Sequence, residues 1–126
     1  MSDTRTRRLV VGDTVWWWSV RHRHAPPHCG DVLSLRRDGT RGTLRLVFRQ
    51  GPGRFGADAL TPSGTVGDGR TWLNLHLPRV VRRFLDAAVA DGLIPTVPGP
   101  VERDGWPLFD TLAAAPPDVP PPPAHP

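Results

Sequence analysis

The sequence predicts an α+β domain: an antiparallel meander sheet of four to six strands, one amphipathic helix packed on it, and a Pro-rich C-terminal tail. Three observations predict it. Apolar side chains alternate along Val15 to Val20 and again along 32–37 and 43–49, the period of half-buried strands. Gly-rich turn signals separate these stretches. A later stretch, Pro78 to Asp91, changes to helical spacing.

A chain of 126 residues fits one compact domain, expected over 1–114, with 115–126 as a disordered Pro-rich tail. The formal charge of +4 raises nucleic acid as a partner. All 16 basic residues are Arg, however, Tyr and Lys are absent, and the 12 acidic residues are spread along the chain, so part of the Arg content reflects a GC-rich coding background. The single Cys29 excludes an intrachain disulfide framework, and a reducing cytoplasm is the expected compartment. Leu9-Val10-Val11 is cut off by Gly12-Asp13, too short for a signal-peptide core or a membrane span, so no targeting segment and no membrane partner are expected.

Leu9 to Val11 and the run from Val15 flank Gly12-Asp13-Thr14, which reads as a β-hairpin. In the second strand, Trp16, Trp18 and Val20 share the core face, and His22 and His24 continue it; Val15, Trp17, Ser19, Arg21 and Arg23 point outward. Pro26-Pro27 ends this strand. A second hairpin joins Val32–Arg37 to Thr43–Arg49. A four-residue loop sets Leu35 against Leu44 and Leu33 against Leu46 inside, with Ser34 against Arg45 and Arg36 against Thr43 outside. Weaker strands are expected from Arg54 to Leu60 and from Thr71 to His76. The helix, about 78–91, starts at Pro78, ends before Gly92 and carries an apolar stripe of Val81, Phe84, Leu85 and Ala88 opposite Arg79, Arg82, Arg83 and Asp86. Trp106, Leu108, Phe109 and Leu112 mark a segment, about 101–113, that docks back on the domain, whereas 116–126 is polyproline-like.

Two groups of side chains are candidate sites. His22, His24, His28 and Cys29 lie within eight residues and are metal-capable; zinc is the cofactor such a set would take. The competing reading, preferred here, makes His22 and His24 packing residues at the rim of the core and Cys29 a small buried hydrophobe. Trp17, Arg21, Arg23, Arg36, Arg45 and Arg49 form an outward basic face, with Arg79, Arg82 and Arg83 as a second patch on the helix. Such a face can follow a phosphate backbone or serve as a protein interface; the competing and preferred reading of the residues alone is a solvated sheet face with Trp17 covered by arginine stems.

Gly51 to Gly56 matches G-x-G-x-x-G, but no helix follows where a dinucleotide fold needs one, so it is read as a connection between strands. No catalytic signature is present and no catalytic residue is assigned; the lone Glu102 falls in a Pro/Gly-rich connection.

The stretch from Gly64 to Leu93, with Trp72-Leu-Asn-Leu-His76 running into Pro78-Arg-Val-Val-Arg-Arg-Phe-Leu-Asp86 and the Asp-Gly-Leu-Ile-Pro95 exit, resembles small uncharacterised α+β proteins of high-GC actinobacteria. More faintly it is similar to small bacterial immunity or accessory proteins. The resemblance implies binding of another protein and assigns no catalytic residue. The resulting expectation is a non-enzymatic, protein-binding or accessory domain, with nucleic-acid binding through the Arg/Trp face and metal binding through the His/Cys cluster as alternatives.

Overall fold

The computed structural model describes residues 5–23, 29–56 and 64–114. Strand β1 (Arg7–Val11) turns at Gly12 and Asp13 into β2 (Thr14–Arg23), which places Leu9 opposite Trp16 and Arg8 opposite Trp17. β3 (Gly30–Arg37) and β4 (Gly42–Arg49) form the second hairpin in the expected register, with Leu33 against Leu46, Ser34 against Arg45 and Leu35 against Leu44. Alternation decides this register: a slip of either strand by one residue would turn its two buried leucines to the other face. Trp16, Trp18, Leu33, Leu35, Leu44, Leu46 and Phe48 are all buried and line one side of the sheet.

After β4 the chain departs from a meander. β5 (Thr65–Gly67) and β6 (Trp72–Asn74) form a separate two-stranded sheet, α1 spans Pro78–Ala90, and β7 (Gly99–Asp104) then joins the main sheet beside β4. The order is β1-β2-β3-β4-β7, and β7 runs parallel to β4. A parallel neighbour cannot be reached through a tight turn, and the connection from β4 to β7 carries the β5–β6 hairpin and α1 as its crossover. The strand expected from Arg54 to Leu60 is reduced to isolated bridges at Arg54 and Phe55, and 57–60 fall outside the described residues. The strand expected from Thr71 to His76 shrinks to β6, whose Leu73, with Val66 and Leu75, enters the core.

Helix α1 agrees with its expected span to within one residue and buries Val80, Val81, Phe84, Leu85 and Ala88. Pro78 occupies the first turn, where its missing N–H is no loss. A second helix corrects the expectation of one. The docked segment is β7 followed by α2 (Trp106–Ala114), which buries Trp106, Leu108 and Phe109. Asp104 Oδ1 accepts the Trp106 backbone N–H at 3.1 Å, satisfying one of the donors that a helix start leaves open. Both helices and the β5–β6 hairpin contribute to the same core cluster as the leucine side of the sheet. The Pro-rich tail, 115–126, lies outside the described residues.

Candidate binding face

Residues that pair across adjacent strands share a face, so the register assembles the other side of the sheet residue by residue. One row runs Arg8, Trp17, Arg36; the next runs Ser19, Ser34, Arg45, Glu102; a third runs Arg21, Val32, Val47, Asp104; Arg23, Gly30 and Arg49 close the end. Trp17, Arg21, Arg23, Arg36, Arg45 and Arg49 are therefore brought together as the alternation predicts. Arg8 belongs with them. It was missed, although the same alternation in β1 sets it opposite Trp17.

This basic face is organised by carboxylates as well. Trp17 Nε1 donates to Asp38 Oδ1 at 2.9 Å, which fixes the half-buried indole on the sheet. Arg36 donates to the Thr40 carbonyl at 3.2 Å. Arg23 passes over Gly30, which has no side chain to obstruct it, and meets Glu102 on β7 through two hydrogen bonds of 2.6 and 3.3 Å. The Arg23 hydrogen bonds, reinforced by the charges of Arg23, Arg45 and Arg49, hold the Glu102 carboxyl below its ordinary range. Glu102 is thus held by a strand and an arginine, a correction to its placement in a loose connection. The face also has relief. A cavity of about 220 Å³ is lined by Trp17, Ser19, Ser34, Thr43, Arg36 and Arg45, and another of about 260 Å³ lies between Val47, Arg49, Glu102 and Asp104.

The helix arginines do not belong to this surface. Arg82 pairs with Asp86 one turn on at 3.0 Å, Arg83 donates to the Leu112 carbonyl at 3.0 Å and ties α1 to α2, and Arg79 is exposed on α1. Their backbone element packs against the leucine side of the sheet, so the nine candidate interface residues separate into two surfaces.

Of the candidate metal ligands, His22 and Cys29 are described and His24 and His28 are not. His22 follows Trp18 and Val20 on the core side, and its Nδ1 lies 3.0 Å from Asp31 Oδ1. Asp31 is fully buried. A carboxylate in this position fixes the ring orientation, which serves a packing histidine and a ligating one equally. The half-buried Cys29 accepts the Gln50 backbone N–H at its carbonyl, 2.9 Å away. Among the described residues no group of three His, Cys, Asp or Glu side chains is gathered closely enough to hold a metal ion. His76 has its carbonyl bonded to Arg7 and its ring against Gly64. Asp31 was not anticipated, because the β2–β3 register that sets it opposite His22 has no local turn signal.

No protein-family model, curated protein or solved structure matches this chain. No described helix is long and apolar enough to cross a membrane.

Proposed function

We propose that this chain is a non-catalytic binding domain, of the accessory or immunity-like kind, that engages an acidic surface of a protein partner through the Arg/Trp face of its sheet. The observation that carries this reading is that Arg8, Arg21, Arg36, Arg45 and Arg49 share one side of the sheet with Trp17, whose indole is bonded to Asp38, on the side opposite the helices. Arginine forks and a rigid indole are the side chains that dominate protein interfaces. The second reading, nucleic acid on the same face, is favoured by the arginines and by the hydroxyls of Ser19, Ser34 and Thr43 between them. Glu102 and Asp104 weigh against it: carboxylates interleaved with the arginines repel a continuous phosphate backbone but suit a partner of mixed charge.

Fluorescence anisotropy with single- and double-stranded DNA at low and moderate salt separates the two. The protein reading predicts weak binding without sequence or strand preference. Tight binding that falls steeply with salt and is lost in Arg36→Glu/Arg45→Glu would replace it with the nucleic-acid reading. Metal binding through His22, His24, His28 and Cys29 is the remaining alternative, and elemental analysis of untagged protein decides it.

A further inference from the structure

Phe55 and Trp72 are large aromatic side chains left 44% and 47% exposed, and they lie side by side with ring centroids 5.9 Å apart and planes inclined at 34°. The pair is rigidly mounted. Phe55 exchanges both backbone hydrogen bonds with Gly67, at 2.8 and 3.0 Å, and Gly67 is in turn opposite Trp72 in the β5–β6 hairpin. The Trp72 indole rests directly on Gly67: a Cβ there would approach the ring to 2.3 Å, so the sequence keeps this position bare for the ring. The two rings face away from the Val66, Leu73 and Leu75 side of the hairpin that builds the core.

Exposed neighbouring aromatic rings are what Pro-rich segments recognise, because a polyproline II helix needs no backbone hydrogen bonds and packs its rings on aromatic surfaces. The chain supplies such a segment nearby. Ala113 and Ala114, the end of α2, line a shallow cavity of about 510 Å³ together with Asp68, Arg70 and Thr71, the turn that leads into Trp72. The sequence after Ala114 is Ala115-Pro-Pro-Asp-Val-Pro-Pro-Pro-Pro-Ala-His-Pro126. At about 3.1 Å per residue in polyproline II, the five residues between Ala114 and Pro120 would have a reach of about 16 Å. Asp118 in that segment and the exposed Arg70 carry opposite charges.

We propose that the Phe55–Trp72 pair is a docking platform for a polyproline II segment, and that its occupant is residues 116–126 of the same chain. Neither the basic sheet face nor its partner enters this inference. The test uses the full-length protein, isotopically labelled. The expected result is upfield ring-current shifts of the Pro120–Pro123 protons and nuclear Overhauser contacts from them to the Trp72 indole. Both persist on tenfold dilution, and both are lost in Trp72→Ala and in Pro121→Ser/Pro122→Ser. The second variant leaves the folded domain untouched, so it remains decisive if Trp72→Ala unfolds. Tail resonances at random-coil positions in the wild type, or identical in the wild type and the Pro121→Ser/Pro122→Ser variant, overturn the platform. Contacts that vanish on dilution overturn the assignment to the same chain and give the site to the tail of a second copy.

Discussion

Replacing Gly105 with Ala is expected to destabilise the protein out of proportion to the single methyl added. Gly105 links β7 to α2, and a Cβ at this position would stand 2.5, 2.6 and 2.9 Å from three atoms of the Phe48 ring. Neither side can yield. Phe48 is fully buried and wedged edge-on between Phe84, at 5.3 Å and 71°, and Trp106, at 5.4 Å and 89°. The Gly105 backbone is pinned by its N–H to the Val47 carbonyl at 2.9 Å and by its carbonyl to the Phe109 N–H at 3.0 Å. Overpacking a rigid core costs about 1–3 kcal/mol, and for a domain near this size each kcal/mol lowers the melting temperature by roughly 4–8 °C. Thermal and urea unfolding of Gly105→Ala should therefore show a loss of about 5–20 °C. The cause is isolated by a double-mutant cycle with Phe48→Leu, which opens the space the new methyl needs. On that background the added cost of Gly105→Ala should shrink by about 1 kcal/mol or more. An unchanged cost on both backgrounds, or no cost on either, refutes the account of how β7 and α2 lock onto the sheet.

Three further outcomes follow from the same geometry. Asp31→Ala removes the fully buried partner of His22 and should cost about 1–3 kcal/mol in urea unfolding at neutral pH. The Glu102 carboxyl is held below its ordinary range chiefly by the Arg23 hydrogen bonds, so its contribution is present above the unfolded-state pKa and disappears as pH falls through the lower folded-state value. Because the pair is partly solvated, Glu102→Gln should cost only about 0.2–1 kcal/mol at pH 7, and the difference from wild type should close below about pH 4. Untagged protein should contain no stoichiometric zinc, and added zinc should leave its melting temperature unchanged, the result that a packing role for His22 requires; a bound equivalent would establish the metal reading instead.

The parts of the fold that could be read in advance are those whose pairing is local. Leu33 and Leu35 meet Leu46 and Leu44 across one short loop, so alternation and loop length together specify the register. The stripe of Val81, Phe84, Leu85 and Ala88 likewise needs only the helical period. β7 was illegible for the opposite reason. Gly99 to Asp104 carries a Pro and one apolar residue on its inner side, Val101, and it becomes a strand only because β4 offers it an edge after a long crossover. Pro is tolerated there because β7 is an edge strand. The basic face was visible in the alternation of β2 to β4, whereas the Glu102 and Asp104 that divide it arrive with β7 and could not be placed. His22 could be assigned to the core side, but its partner Asp31 depends on a register between strands whose connection carries no turn signal.

The central claim is that the Arg/Trp face of the sheet, and not the helix face, meets a protein. The direct measurement is photocrosslinking in cells that make the protein, with the photoreactive residue at Ser34, central on the Arg/Trp face, or at Arg79, exposed on α1. The account predicts a discrete, acidic protein crosslinked from position 34, absent from position 79, and lost when Arg36→Glu/Arg45→Glu is introduced without change in melting temperature. A crosslink to nucleic acid from position 34, or the same protein captured equally from both positions, would contradict it.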